Sequence, residues 1–322
     1  MLIQSPYEAY LPMPGRPVIR WPGAARVAVW VSPNIEHYEY LPPANRFRDP
    51  WPRTPHPDVM NYAYRDYGNR VGFWRMLEVL DEHRIRATVS LNVAVLDHFP
   101  QVRDAMVRRD WDFMSHGVYN TRFLYGASED EERALYKDCI DTIRRHTGKR
   151  LKGMLSPAIT NSPRTPELMA EAGLIYTADW FWDDQPVPLI VKSGRLVSLP
   201  YSIEMNDSLM FQFTHYQQGY EGEYFVQICK DQFDVLYHEG ERNGTVMCIA
   251  LHPFLIGQPH RVKYLDEILR YVRSHEAVWL ATGDEIAEYY LENYFDVVLK
   301  HMSEREQTTK AARGAVRSTS RA

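Results

Sequence analysis

From Arg26 to Phe295, short apolar runs alternate with helical patterns, and that alternation leaves few folds open to the chain. Arg26–Ser32, Ala87–Leu91, Trp111–Ser115, Gly153–Pro157, Thr245–Leu251 and Val278–Thr282 read as strands. Ile175–Ala178, Leu189–Lys192 and Leu196–Leu199 are further strand candidates. Between them fall helical stripes over Gly68–Arg84, Val93–Arg109 (interrupted near Pro100), Glu223–Glu241, Val262–Arg273 and Asp284–Asn293. Another helix opens on Ser128-Glu-Asp-Glu131, which has capping-box spacing, and stops at Gly148. Thr165-Pro-Glu-Leu168 starts one more, with proline at the first helical position. Strands separated by helices predict parallel β-α units with right-handed crossovers. No repeat or linker divides them, so one incomplete β/α barrel is expected rather than two domains.

The expected boundaries are an N-terminal extension over residues 1–25, the barrel over 26–300 and a tail over 301–322. The tail is small, polar and basic and reads as disordered, with a nucleic-acid arm as the alternative. A proline- and aromatic-rich loop is expected from Pro33 to about Tyr67, long enough to imply a function such as covering a pocket.

A net charge of -5 favours neither nucleic acid nor an anionic membrane as partner of the barrel. The three cysteines, Cys139, Cys229 and Cys248, are far apart and read as reduced core thiols. No signal-peptide core or membrane span is seen, so a cytoplasmic protein is expected.

Two histidines each end an apolar run at a turn. His116 follows Trp111-Asp-Phe-Met-Ser115, and His252 follows Val246-Met-Cys-Ile-Ala-Leu251. Parallel barrel strands deliver such residues to one rim, where loops assemble sites. Histidine titrates near neutrality and binds metals, so two at one rim suggest a reaction centre. Other rim segments are Ser32-Pro-Asn-Ile-Glu-His37, Ser156-Pro157 and His252-Pro-Phe-Leu-Ile-Gly-Gln-Pro259.

Taken in order, Ser115-His-Gly-Val-Tyr-Asn120, Gly148-Lys-Arg-Leu-Lys-Gly153, Leu155-Ser-Pro157, Asp183-Asp-Gln-Pro186 and Leu251-His-Pro253 resemble the polysaccharide deacetylase (NodB-like) superfamily over roughly Val27–Tyr290. The nearer likeness is to its cytosolic, cofactor-independent allantoinase-like branch. The resemblance implies a distorted, incomplete β/α barrel, hydrolysis of carbon–nitrogen bonds and a homo-oligomer, a tetramer in that branch. Metal-using members hold their ion with an aspartate after the first strand and an H-x-x-x-H pair. Here those positions fall on Glu36 (or Asn34), His116 and Asn120. Asparagine is a far poorer zinc ligand than imidazole, so no cofactor or a weakly bound zinc-like ion is expected.

Without a metal, hydrolysis needs a base for water, a donor for the carbonyl oxygen and an acid for the leaving nitrogen. Glu36 is the expected base, His116 and Asn120 the groups that position water or carbonyl, and His252 the acid. Each also has a structural reading: a solvated loop carboxylate for Glu36, satisfied core or turn histidines for His116 and His252, a turn residue for Asn120. Asp183 and Asp184 suit either a substrate wall or a turn before Pro186. Tyr201, Glu204 and Asn206 form a polar loop that could contact substrate. Arg261 suits a carboxylate clamp or a helix-start surface position. Three functions follow: hydrolysis of a small amide, cyclic amide or ureide; metal-dependent de-N-acetylation of a sugar; or an inactive binding scaffold.

Overall fold

The structure, a computed structural model, describes residues 5–43, 57–211 and 222–319. Strand β1 (Val27–Ile35) is buried along its whole length. Helix α1 (Val59–Tyr67) runs through a π turn at Gly68–Gly72 into α2 (Phe73–Glu82). Next come β2 (Thr88–Leu91), α3 (Ala94–His98), α4 (Pro100–Arg108), β3 (Asp112–Ser115) and α5 (Glu129–Thr147). They are followed by β4 (Gly153–Met154), α6 (Thr165–Glu171), β5 (Tyr176–Thr177), β6 (Val187–Leu189) and β7 (Leu196–Ser198). The rest is α7 (Asp207–Phe211), α8 (Gly222–Glu239), β8 (Thr245–Leu251), α9 (Pro253–Ile256), α10 (Val262–Arg273), β9 (Val278–Leu280), α11 (Gly283–Asn293) and α12 (Phe295–Thr319).

One sheet runs β6-β7-β5-β4-β3-β2-β1-β8, with β9 also paired to β1. Every pairing is parallel except β6 with β7. No β8–β6 pairing closes the circle among the described residues, so this is the expected distorted, incomplete β/α barrel. The α5 capping box forms as the spacing predicts, and Gly148 takes the left-handed φ of +73° that ends the helix.

Strand side chains alternate between two cores. Val27, Val29 and Val31 face the helices; Ala28 and Trp30 face the barrel interior, with Met114, Tyr176, Val246, Cys248 and Ala250. The interior series of β1 continues through Ser32 and Asn34 to Glu36, that of β3 through Met114 to His116, and that of β8 through Ala250 to His252. Period two alone therefore aims these three residues at the same end of the barrel.

Two expectations change. Residues 59–67 are helical, because Asp58 caps the helix by accepting from the Asn61 amide at 3.0 Å. The expected long loop is thus divided, and its residues 44–56 lie outside the described ones. The tail is helical through Thr319, and near its start Val298 and Met302 are buried in the interior core. The N-terminal extension packs on the barrel: Trp21 donates its indole N–H to the Thr245 carbonyl at 2.8 Å, and Tyr7 its hydroxyl to the Pro163 carbonyl at 2.9 Å.

Candidate active site

Glu36, His116 and His252 converge at the C-terminal rim, all buried. Glu36 Oε1 lies 3.4 Å from His252 Nε2 and 3.9 Å from His116 Nε2. His37, the next residue, turns the other way and packs with its ring 4.8 Å from His98 and 5.2 Å from Phe99. Asn69 holds the Glu36 carbonyl at 2.8 Å. Asn92 ties two rims together, accepting from the His37 amide at 2.9 Å and donating to the His116 carbonyl.

His252 is gripped from behind by Asp207. Its Nδ1 lies 2.7 Å from one Asp207 oxygen and its amide N–H donates to the other at 2.8 Å. That carboxylate is fully buried. Burial alone would lower the His252 pKa, but the charge and hydrogen bonds of Asp207 and Glu36 outweigh it and raise it to about 9. Burial alone would likewise raise the Glu36 pKa; the hydrogen bond and charge of His252, with Arg65 and His116, instead hold it at about 2. At neutral pH the pair is carboxylate and imidazolium, and it titrates as a coupled unit.

His116 is placed differently. Its Nδ1 is 2.8 Å from the Leu155 carbonyl, an acceptor only, so Nδ1 carries a proton. Burial pushes its pKa down, which leaves the neutral ring with a bare Nε2 facing Glu36. The turn after it needs Gly117, at φ +71°, where a Cβ would come within 2.6 Å of Pro157.

Asn120 donates its side-chain N–H to the Tyr38 hydroxyl at 3.3 Å, and its Oδ1 is buried without a partner. Asn34 is committed elsewhere, donating to Tyr201 at 3.0 Å and to the Leu251 carbonyl at 3.3 Å. Tyr201 and Asn206 therefore back the site: Asn206 donates to the Tyr201 hydroxyl at 3.3 Å and bridges to Ala250.

Asp183 and Asp184 do not join the centre. The Asp184 carbonyl accepts from the Val246 amide, six residues before His252 and so roughly 20 Å down the strand. Asp183 pairs with Arg16 at 2.6 Å. Glu204 is exposed and lines, with Asp184 and Trp182, a separate cavity of about 270 Å³ in the open side of the barrel. Arg261 lies over the Phe211 ring at 4.3 Å.

Sequence reasoning missed Asp207, Arg65, Asn92 and Asp179, the last of which holds the Ser156 amide and hydroxyl at 2.7 and 2.6 Å. A carboxylate two residues before the apolar Leu209-Met210-Phe211 was the available signal for Asp207. Arg65 was hidden inside the expected loop.

A zinc-like ion does not suit this donor set. Both carboxylate oxygens of Glu36 already face cations, His252 on one side and Arg65 Nε at 3.6 Å on the other. Among the described residues, no three His, Cys, Asp or Glu side chains are arranged to hold a metal. No helix among them is long and apolar enough to cross a membrane.

Comparison with known proteins agrees with this fold. Residues 56–177 match the polysaccharide deacetylase family. A Schizosaccharomyces pombe protein named as a polysaccharide deacetylase is 26% identical over 305 residues, 85% of this chain and 93% of that one. The crystal structure of a polysaccharide deacetylase from Pseudomonas aeruginosa PAO1 superposes with a TM-score of 0.74 at 29% identity, covering 86% of this chain and 95% of the other. That of Puue allantoinase gives 0.73 at 27% identity, covering 86% and 94% respectively. A matching domain, an incomplete barrel and the relatives' names agree: over residues 56–177 the chain carries a polysaccharide deacetylase domain, and members of that family are hydrolases acting on carbon–nitrogen amide bonds.

Proposed function

We propose that this protein hydrolyses a non-peptide carbon–nitrogen bond in a small amide, cyclic amide or ureide by direct attack of water. One observation carries the reading: Glu36 Oε1 stands between a protonated His252 and the bare Nε2 of His116, at 3.4 and 3.9 Å. An acid and two proton acceptors thus face one point. The likeness to Puue allantoinase supports the choice of small amides.

In the proposed reaction the water oxygen attacks the carbonyl carbon and its proton passes to Glu36, with His116 Nε2 orienting the water. The carbonyl electrons move onto oxygen, which the Asn120 amide and its neighbours stabilise. The carbon–nitrogen bond then breaks as His252 gives its proton to the departing nitrogen. Glu36 returns the water's proton to His252 across their shared contact, and the acid and amine products leave. Acid–base groups of this kind contribute about 10²–10⁴-fold each.

The second reading, metal-dependent de-N-acetylation of a sugar, is supported by the names of the relatives. Three buried free cysteines suit a reducing compartment, so the proposal places the enzyme in the cytosol; it also takes it to be a homo-oligomer. Assay of cyclic amides, ureides and N-acetyl sugars, before and after chelation, tests the choice. Chelator-insensitive turnover of a small amide or ureide is expected. Turnover confined to N-acetyl sugars and restored by zinc supports the second reading, and inactivity on all of them supports a scaffold.

A further inference from the structure

Arg65 is the cation the sequence did not announce. It projects from α1 into the centre, its side chain only 11% exposed. Its guanidinium carbon lies 4.4 Å from the Tyr38 ring centre and 4.6 Å from that of Phe254. Tyr38 stands two residues after Glu36 and Phe254 two after His252, so the clamp is built from the segments that carry the acid–base pair. One terminal nitrogen donates to Asn61 Oδ1 at 3.0 Å, the other to the Tyr38 hydroxyl at 3.4 Å. Tyr38 in turn accepts from Asn120. Arg65 Nε faces Glu36 Oε2 at 3.6 Å.

Glu36 Oε2 and Arg65 Nε, both buried, have only each other, as an ion pair at 3.6 Å, and Asn120 Oδ1 is buried with no hydrogen-bond partner. Buried polar groups are rarely left so, and they mark where water or substrate polar atoms belong. The formal charges also balance. Glu36 and Asp207 are negative, His252 and Arg65 positive, and His116 neutral. Deleting Arg65 would leave the centre with one net negative charge, attractive to a divalent ion. A guanidinium keeps its charge at any working pH, and stacking between two rings fixes where that charge sits.

We infer that Arg65 is a positioning residue that supplies, as a fixed part of the chain, the positive charge a divalent ion would bring to Glu36, and that it thereby excludes such an ion. It acts through Glu36, fixing where the carboxylate points relative to the attacking water. Its effect on turnover rests on the hydrolytic reading above; its effect on cation binding does not.

The test uses the full chain as wild type, Arg65→Gln, Arg65→Lys, Asn120→His and the Asn120→His/Arg65→Gln double variant, each checked for folding by near-ultraviolet circular dichroism. Zinc affinity is read by competition with a chromogenic chelator. The double variant should bind zinc about 10- to 100-fold more tightly than Asn120→His alone. Arg65→Gln should lower kcat about 100-fold on the substrate found, with KM little changed, and Arg65→Lys should recover part of the loss. Equal zinc affinity with and without Arg65 would overturn the inference, as would wild-type kcat in Arg65→Gln. A zinc shift of the expected size in a protein inactive on every substrate would uphold Arg65 as the cation excluder while rejecting the hydrolytic reading. Should Arg65→Gln fail to fold, Arg65→Lys and an Asn120→His/Arg65→Lys pair carry the comparison; a retained charge should then keep zinc affinity at the Asn120→His level, and tighter binding would overturn it.

Discussion

His252 owes its proton to Asp207, and that single contact sets the alkaline limit expected of the enzyme. Its folded pKa, about 9, lies above the ordinary 6.5. The acid form is therefore complete at and below neutral pH and is lost as pH rises through about 9. The stability that this ion pair contributes follows the same sign. Replacing Asp207 with Asn removes the chief cause of the rise. The alkaline limb of kcat should move to lower pH, and kcat at neutral pH should fall about 100-fold, read from pH–rate profiles of both proteins. An unmoved limb would mean that His252 is not the acid. Glu36 has the opposite sign: its depressed pKa keeps it ionised well below pH 4.5, so its protonation should not limit turnover in any range where the fold survives. Both histidines were legible in the sequence because each ends an apolar run. Asp207 and Arg65 were not, because nothing local ties a carboxylate or a guanidinium to a histidine in a distant segment.

At the level of elements, the continuous α1–π–α2 segment lies against α9. A Cβ on Gly72 would meet the Pro253 carbonyl oxygen at 2.0 Å, and one on Gly68 would meet the Phe254 amide nitrogen at 2.9 Å. These are backbone contacts that cannot rotate away. Gly72→Ala should therefore cost about 1–3 kcal/mol in chemical denaturation and also lower kcat, since Pro253 directly follows His252. A stable Gly72→Ala with full activity would show that this packing does not position the histidine. The strands were readable from their apolar runs, and β8 and α10 fall where the pattern put them. The α1 segment was not, because the prolines and aromatics that precede and fill it imitate a loop. Gly68 and Gly72, at the start of the helix that the pattern did predict, are places of close approach.

For the whole molecule, the N-terminal extension is pinned at the end of the barrel opposite the chemistry. Asp183, which the sequence suggested as a substrate contact, instead pairs with Arg16 and pins the N-terminal extension, both side chains being about 10% exposed. Asp183→Ala should lower stability by about 3–5 kcal/mol, as expected when one partner of a buried pair is lost, and leave kcat and KM unchanged. Changed kinetics without lost stability would return Asp183 to the substrate. The barrel class was plain from the alternation of strands and helices. How its open side is filled was not, since short strands such as β6 and β7 and the loops between them carry little periodic signal.

The proposed reaction turns on how protons are shared among three buried side chains, and nitrogen-15 NMR of the imidazoles at pH 7 reads that sharing directly. His252 should be an imidazolium that loses its proton only near pH 9, and His116 a neutral ring protonated on Nδ1. A neutral His252 at pH 7, or a charged His116, would contradict it.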